Sequence, residues 1–229
     1  QSPSSSLYAT RPGALPARFR RSRVLIVGCG DVGLRAAHAL GGRVRVIALT
    51  SSADRTDELR ARGITPLLGN LDAPASLRRL AGLAQRVLHL APPPGEGWGD
   101  PRTLALIRAL RLRSLPTALV YGSTSGVYGN CDGDFAIETR ALNPDTPRAM
   151  RRVDAENVTH FFGRSAQVRA SILRIPGIYA ATRDGGTEPY PRLVGDTASQ
   201  DHALHQRLAI DQPNIIEYEK FPFLADLLP

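Results

Sequence analysis

Four apolar residues, Val24–Val27, run directly into Gly28-Cys29-Gly30-Asp31-Val32-Gly33, and a helical pattern over Val32–Leu40 follows at once. That order allows few folds. The short apolar run reads as a buried strand. Gly28 suits a tight turn, Gly30 a close backbone approach, and Gly33 a close contact between strand and helix. The helix start leaves free N–H groups and a positive dipole end facing the turn. Such a turn seats the pyrophosphate of a dinucleotide, with Gly28, Gly30, Asp31, Val32 and Gly33 around it. A glycine-rich turn with no ligand would use the same residues, so the rest of the chain decides.

From Arg23 onward, strand and helix patterns alternate. Apolar β-type runs occur at Val44–Leu49, Thr65–Leu68, Val87–Leu90, Ala118–Tyr121 and Ser171–Ile175, with helical windows at Asp54–Arg62, Ala75–Leu83, Pro101–Leu112 and Arg148–Phe162. The strands are short and apolar nearly throughout, as expected when helices cover both faces. The prediction is an α/β fold with a doubly wound parallel sheet. The chain of 229 residues holds one such domain and a small appendage.

Charge points away from nucleic acid as the main partner despite a net +8. Residues 1–182 carry 25 Arg and 13 acids, a balance of +12, whereas residues 183–229 carry 4 basic and 8 acidic residues, a balance of −4. Lys220 is the sole lysine, which reads as compositional bias rather than a nucleic-acid surface. Two cysteines, Cys29 and Cys131, form no disulfide framework and no metal-ligand spacing. No window approaches the roughly 18 uninterrupted apolar residues of a membrane helix. The expectation is a cytoplasmic protein with no membrane contact and no metal. Residues 1–22 form a Ser/Pro/Arg-rich arm without a secretory apolar core, outside the fold.

The second strand ends at Thr50-Ser51-Ser52, where an NAD-selective site ordinarily places an acid for the ribose hydroxyls. None is present. Thr50 and Ser51, with Arg55 just beyond, suit a 2′-phosphate, which favours NADP over NAD; the alternative is Arg55 as a solvated first-turn residue.

Several later stretches resemble the extended short-chain dehydrogenase/reductase superfamily, in particular the NAD-dependent epimerase/dehydratase family. "GNLDAPASLRRLAG" is similar to the segment after its third strand, with Asn70 where the family carries an acid near the adenine, followed by Leu71. "VLHLAPPP" resembles the fourth strand, with Ala91 and Pro92 beside the cofactor. "YGSTSGVYG" resembles the fifth strand and its Ser/Thr turn, and "LRIPGIYA" the sixth, with Pro176 in its Arg-x-Pro-Gly-x-Tyr pattern. The resemblance covers about Arg23 to Ala180 and implies a Rossmann-like domain over residues 23–182. It implies that Thr124 hydrogen-bonds a substrate oxygen.

The family's acid–base is a Tyr followed four residues later by a Lys that favours the phenolate. Matching Asp154-Ala155-Glu156 to the acidic end of that helix places Arg148 and Arg152 at those positions. Arginine is always protonated near neutral pH and is no general base. No Tyr lies between Tyr128 and Tyr179, and no Lys before Lys220, so shifting the alignment restores nothing. The chain is closest to the atypical branch, which keeps the glycines and lacks the pair. Arg152 remains a candidate donor to a ribose hydroxyl or an anion, and Tyr128 is the best remaining phenol, although the family uses it for packing. His38, His89 and His160 fit structural roles; Cys29 faces a helix start that would lower its pKa, the alternative being a small residue chosen for its fit.

Residues 183–229 differ in style from the rest and read as a short or truncated substrate lobe or a docking segment. The leading expectation is an NAD(P)-dependent epimerase/dehydratase-like protein whose small-molecule substrate is a nucleotide sugar or small carbonyl compound. The alternative is a non-catalytic NADP-binding sensor or scaffold. A homodimer through Pro101–Leu112 and Arg148–Phe162 is implied by the resemblance alone.

Overall fold

The computed structural model describes residues 21–134 and 136–175. Pro176 and the 183–229 segment lie outside the described residues. Six strands, β1 (Arg23–Val27), β2 (Arg45–Thr50), β3 (Thr65–Leu68), β4 (Arg86–His89), β5 (Ala118–Thr124) and β6 (Arg169–Ile175), form one sheet in the order β3-β2-β1-β4-β5-β6. Every pairing is parallel. Strand order reverses between β1 and β4, which leaves a crevice at their carboxyl ends where α/β sheets of this kind bind ligands.

Parallel strands need crossovers, and four α-helices supply most of them: α1 (Asp31–Ala39), α2 (Arg55–Ala61), α3 (Pro101–Leu110) and α4 (Pro147–Ala166). Alternation along each strand divides the core in two. Leu25, Val27, Ile47, Leu49, Val87, Leu119 and Tyr121 pack with Leu106 and Leu110 of α3 and with Ala155 and Phe162 of α4. Val24, Ile26, Val46, Ala48, Leu88 and Val120 pack with Ala36 and Leu40 near α1 and with Leu59 of α2. With both faces covered, β1 is apolar at every position after Arg23, as its composition predicts.

One expected helix takes a tighter form. The window Ala75–Leu83 is a 3-10 helix over Pro74–Leu80. Its two buried residues, Leu77 and Leu80, are three apart, and a three-residue turn places both on one face. The fold is the Rossmann-like doubly wound sheet that the motifs imply.

Candidate functional site

The site begins where β1 stops. Gly28 has φ +86°, a left-handed conformation, and a Cβ built there would lie 2.3 Å from the Ala91 backbone nitrogen. The turn therefore presses against the end of β4, and only glycine fits. Gly33 packs the start of α1 onto β1, with its nearest neighbours the Gly28 carbonyl and Ile26 at 3.2 and 3.3 Å from a built Cβ. Gly30 is the opposite case, because a Cβ there meets nothing within 4 Å. Gly30 is also the N-cap of α1 and offers no side-chain cap, so the first-turn amides of Asp31 and Val32 have no intrahelical acceptor. Free amides, a helix dipole and open space suit a phosphate.

A cleft of about 280 Å³ continues from this turn, bounded among others by Gly28, Ser51, Asn70, Leu71, Ala91 and Pro92. Four loops at the carboxyl edge of the sheet thus bring these sequence-predicted residues together. Thr50 is buried at the end of β2, and its hydroxyl accepts from the Ser52 amide at 3.2 Å, so it shapes the turn. Arg55 reaches back from α2 and donates to the Cys29 carbonyl at 2.9 Å, which fixes a guanidinium beside the glycine turn. It is therefore more than a solvated first-turn residue. Asp31, by contrast, pairs with Arg35 one turn on.

Two residues of the cleft carry no sequence signal of their own. Arg102, in the first turn of α3, holds Asp72 through two bonds of 2.7 and 2.6 Å and donates to the Pro92 carbonyl at 3.2 Å. This fork holds the Asp72 carboxyl below its usual range. The pair clamps the loop after β3 to the loop after β4 and so sets the width of the cleft. A sequence reading gives no sign that residues 30 positions apart meet there.

The end of β5 is built differently. Thr124 caps a 3-10 turn, Ser125–Tyr128, by accepting from the Gly126 amide at 3.4 Å, and its side chain is half-buried at the sheet edge. Ser123 donates to Glu156 of α4 at 2.5 Å, and Glu156, 1% exposed, is forked by Arg174 of β6. Arg174 also donates to the Tyr128 hydroxyl at 2.7 Å, which ties that phenol into the packing. Arg152 donates to the Gly122 carbonyl and to the Tyr121 hydroxyl at 2.8 and 3.0 Å. Burial pushes the Tyr121 phenol up to about 12 despite that guanidinium, so it stays a neutral phenol at neutral pH. α4 contains neither Tyr nor Lys.

The remaining candidates resolve by environment. Burial raises the Cys29 thiol pKa and outweighs nearby arginines, which corrects the expectation of a lowered value. His89 is buried and bonded to Thr103 at 2.8 Å, as a structural histidine should be. Among the described residues no cluster of His, Cys, Asp and Glu could hold a metal ion, and no helix is long and apolar enough to cross a membrane.

The model of the NAD dependent epimerase/dehydratase family matches residues 24–204. The chain belongs to that family. No curated protein sequence matches it. Solved structures with the same fold include the UDP-glucuronic acid 4-epimerase of Bacillus cereus, solved with UDP-glucuronic acid and NAD. It is 22% identical, with a TM-score of 0.54, over 66% of this chain and 55% of that one. The UDP-glucose 4-epimerase of Thermotoga maritima is 19% identical with a TM-score of 0.56, over 69% of this chain and 56% of that one. The dTDP-glucose 4,6-dehydratase of Bacillus anthracis, solved with NAD, is 15% identical with a TM-score of 0.60, over 70% and 56%. The chain spans little more than half the length of these proteins.

Proposed function

We propose that this chain binds a nicotinamide dinucleotide, NADP in preference to NAD, across the β1–β4 crevice and takes a nucleotide sugar as its second ligand. The observation that carries this reading is the pairing of Gly28, which tolerates no side chain, with Gly30, which has open space in front of it. Gly28, Gly30, Asp31, Val32 and Gly33 hold the pyrophosphate. Ser51, Asn70 and Leu71 flank the adenosine end, with Thr50 shaping the turn behind them. Arg55 approaches the 2′-phosphate, and Ala91 and Pro92 line the middle of the crevice. In this reading Arg152 and Pro176 serve the nicotinamide end of the cofactor.

The dinucleotide, when bound, supplies hydride transfer. This chain's own residues bind and orient: Thr124 offers its hydroxyl to a substrate oxygen, while Tyr128, held by Arg174, braces the turn that presents it. Support for a nucleotide sugar comes from the family and from the UDP-sugar epimerases that share the fold. In this reading residues 23–182 are the dinucleotide-binding part, and residues 183–229 a short substrate lobe or a docking segment. α3 and α4 are the elements through which two copies would pair.

One observation favours a second reading. Because α4 contains neither Tyr nor Lys, a non-catalytic NADP-binding sensor or scaffold would use the same seat without proton transfer. Calorimetric titration with NADPH, NADP⁺, NADH and NAD⁺, repeated on Gly30→Trp, tests the seat itself. The substitution projects an indole into space that is open in the fold, so the expected result is binding abolished with the unfolding midpoint unchanged. Tight binding that survives Gly30→Trp would reject the pyrophosphate seat. A turnover assay with UDP-glucose on the NADP-loaded protein separates the enzyme reading from the sensor reading.

A further inference from the structure

Arg102, in the first turn of α3, lines the cleft that opens from the glycine turn, with Asp72 on one wall and Pro92 on the other. Its Nε and Nη2 donate to the two Asp72 carboxylate oxygens at 2.7 and 2.6 Å. Its Nη1 donates to the Pro92 and Pro93 carbonyls at 3.2 and 3.4 Å. A guanidinium carries its five N–H donors in one plane. Four bonds in that plane, reaching both walls, commit the edge of the group almost completely. They also set the plane across the cleft, so that one face looks into it. The side chain is 26% exposed, which leaves that face open to a ligand.

The neighbouring charges decide what such a group can recognise. The fork holds the Asp72 carboxyl below its usual range, so the acid is ionised at neutral pH and offsets the guanidinium. Asp100, at the cap of the same helix, acts on Arg102 with the same sign. A phosphate brought to Arg102 would therefore meet two carboxylates, whereas the amides at the start of α1 offer it a site with none of that repulsion. A hydroxyl or carbonyl ligand would need an edge donor, and the edge is taken. What remains is a flat, delocalised face, which attracts a planar π-ring laid upon it. The rest of the cleft suits such a ring: Val27, Leu49, Leu71 and Ala91 are apolar, and no aromatic side chain among the described residues lines it. The guanidinium is thus the broadest planar surface that an entering ring would meet.

We propose that Arg102, held flat between Asp72 and the Pro92 carbonyl, is the platform on which the adenine ring of the dinucleotide stacks. This rests on the dinucleotide reading above, in which Asn70 and Leu71, next to Asp72, flank the adenosine end. It adds the residue that receives the ring itself. The salt bridge then has two effects: it joins the loops after β3 and β4, and it turns a charged side chain into a flat surface with little net charge. Arg102 acts on the ring and is indifferent to the 2′-phosphate, which belongs to Arg55 in that reading.

Two substitutions in the full chain separate a platform from a mere clamp. Arg102→Lys keeps a cation beside Asp72 and loses the plane, whereas Arg102→Phe keeps a plane and loses every bond to Asp72 and Pro92. In calorimetric titrations with NADPH and NADH, Arg102→Lys is expected to lose about tenfold in affinity for both ligands. Arg102→Phe is expected to stay within about threefold of the native chain. An Arg102→Lys chain that binds as well as or better than Arg102→Phe, or native affinity in both, overturns the platform and leaves the dinucleotide reading standing. A loss confined to NADPH assigns Arg102 to the 2′-phosphate and overturns the platform as well. Should a variant fail to fold, the native chain gives a second readout: an adenine ring on the guanidinium shifts the Arg102 Hε resonance upfield through its ring current when NADP⁺ is added. An Hε resonance that stays in place overturns the platform. A native chain that binds no dinucleotide overturns the dinucleotide reading, and the platform with it.

Discussion

The glycine turn and the end of β5 lie at the same edge of one sheet and are made in opposite ways. At the β1–β4 crevice the surface is mostly backbone and small side chains, and the cleft stays open because Gly28 and Gly30 place nothing in it. At the end of β5 charged side chains are numerous but already engaged: Glu156 with Ser123 and Arg174, Tyr128 with Arg174, and Arg152 with Tyr121. One region leaves its surface open, and the other spends its polar groups on holding β5, α4 and β6 together. A turn of this kind depends on backbone geometry and proton-transfer chemistry on a few side chains, so the two can vary separately within one fold.

The sharpest way to break this comparison is at Gly28. Alanine there faces a positive φ and a backbone nitrogen 2.3 Å from its Cβ, so β1 or β4 must move. Gly28→Ala is expected to cost more than about 3 kcal/mol in chemical denaturation, at the upper end for single substitutions. A cost below about 1 kcal/mol would mean that the turn relaxes easily and that its shape is no specialised seat.

The two regions were also unequally legible in the sequence. The glycine spacing, the near-continuous apolar strands and the helix windows are local patterns, and each corresponds to an element of the sheet within a few residues. The crevice residues followed because the strand order of such a sheet fixes which loop ends meet. Arg102 and Asp72 were not legible, because an ion pair across two loops has no periodicity and depends on the final spacing of β3 and β4. Nor was the Ser123–Glu156–Arg174 network, whose members come from three separate elements. The local motif at Cys29 misled for a related reason: helix position suggests a lowered thiol pKa, whereas burial, a property of the whole fold, raises it.

Glu156 is where the second half of the comparison can be sharpened. Glu156→Gln keeps the shape and the hydrogen bond to Ser123 but leaves Arg174, whose side chain is 19% exposed, without its carboxylate. Breaking a buried pair from one side costs about 3 kcal/mol or more. The expected result is a loss of that size with dinucleotide affinity unchanged. A neutral substitution would show that these charges are not structural, which would return Tyr128 to the list of groups free for chemistry.

His89 stands between the two regions, at the end of β4 and against Tyr121, and titration makes its position measurable. The Thr103 hydroxyl donates to Asp100 at 2.6 Å, so its oxygen accepts from His89 Nε2–H, which leaves Nδ1 bare and buried. Protonating Nδ1 would place a charge in the core beside Arg152. Burial first, then that guanidinium, pushes the His89 pKa down to about 3. The unfolded chain takes up this proton near pH 6.5, the folded chain only near 3. The stabilisation is thus complete above pH 6.5 and declines as the pH falls toward 3, at about 1.4 kcal/mol per unit. Between pH 6.5 and 5, where carboxylates contribute little, the native chain is expected to lose roughly 2 kcal/mol. His89→Gln should start less stable and show a flat profile over the same interval. A His89→Gln profile as steep as that of the native chain would mean that His89 reaches solvent in the folded protein, and the wall between the open crevice and the closed β5 network would then be permeable to water.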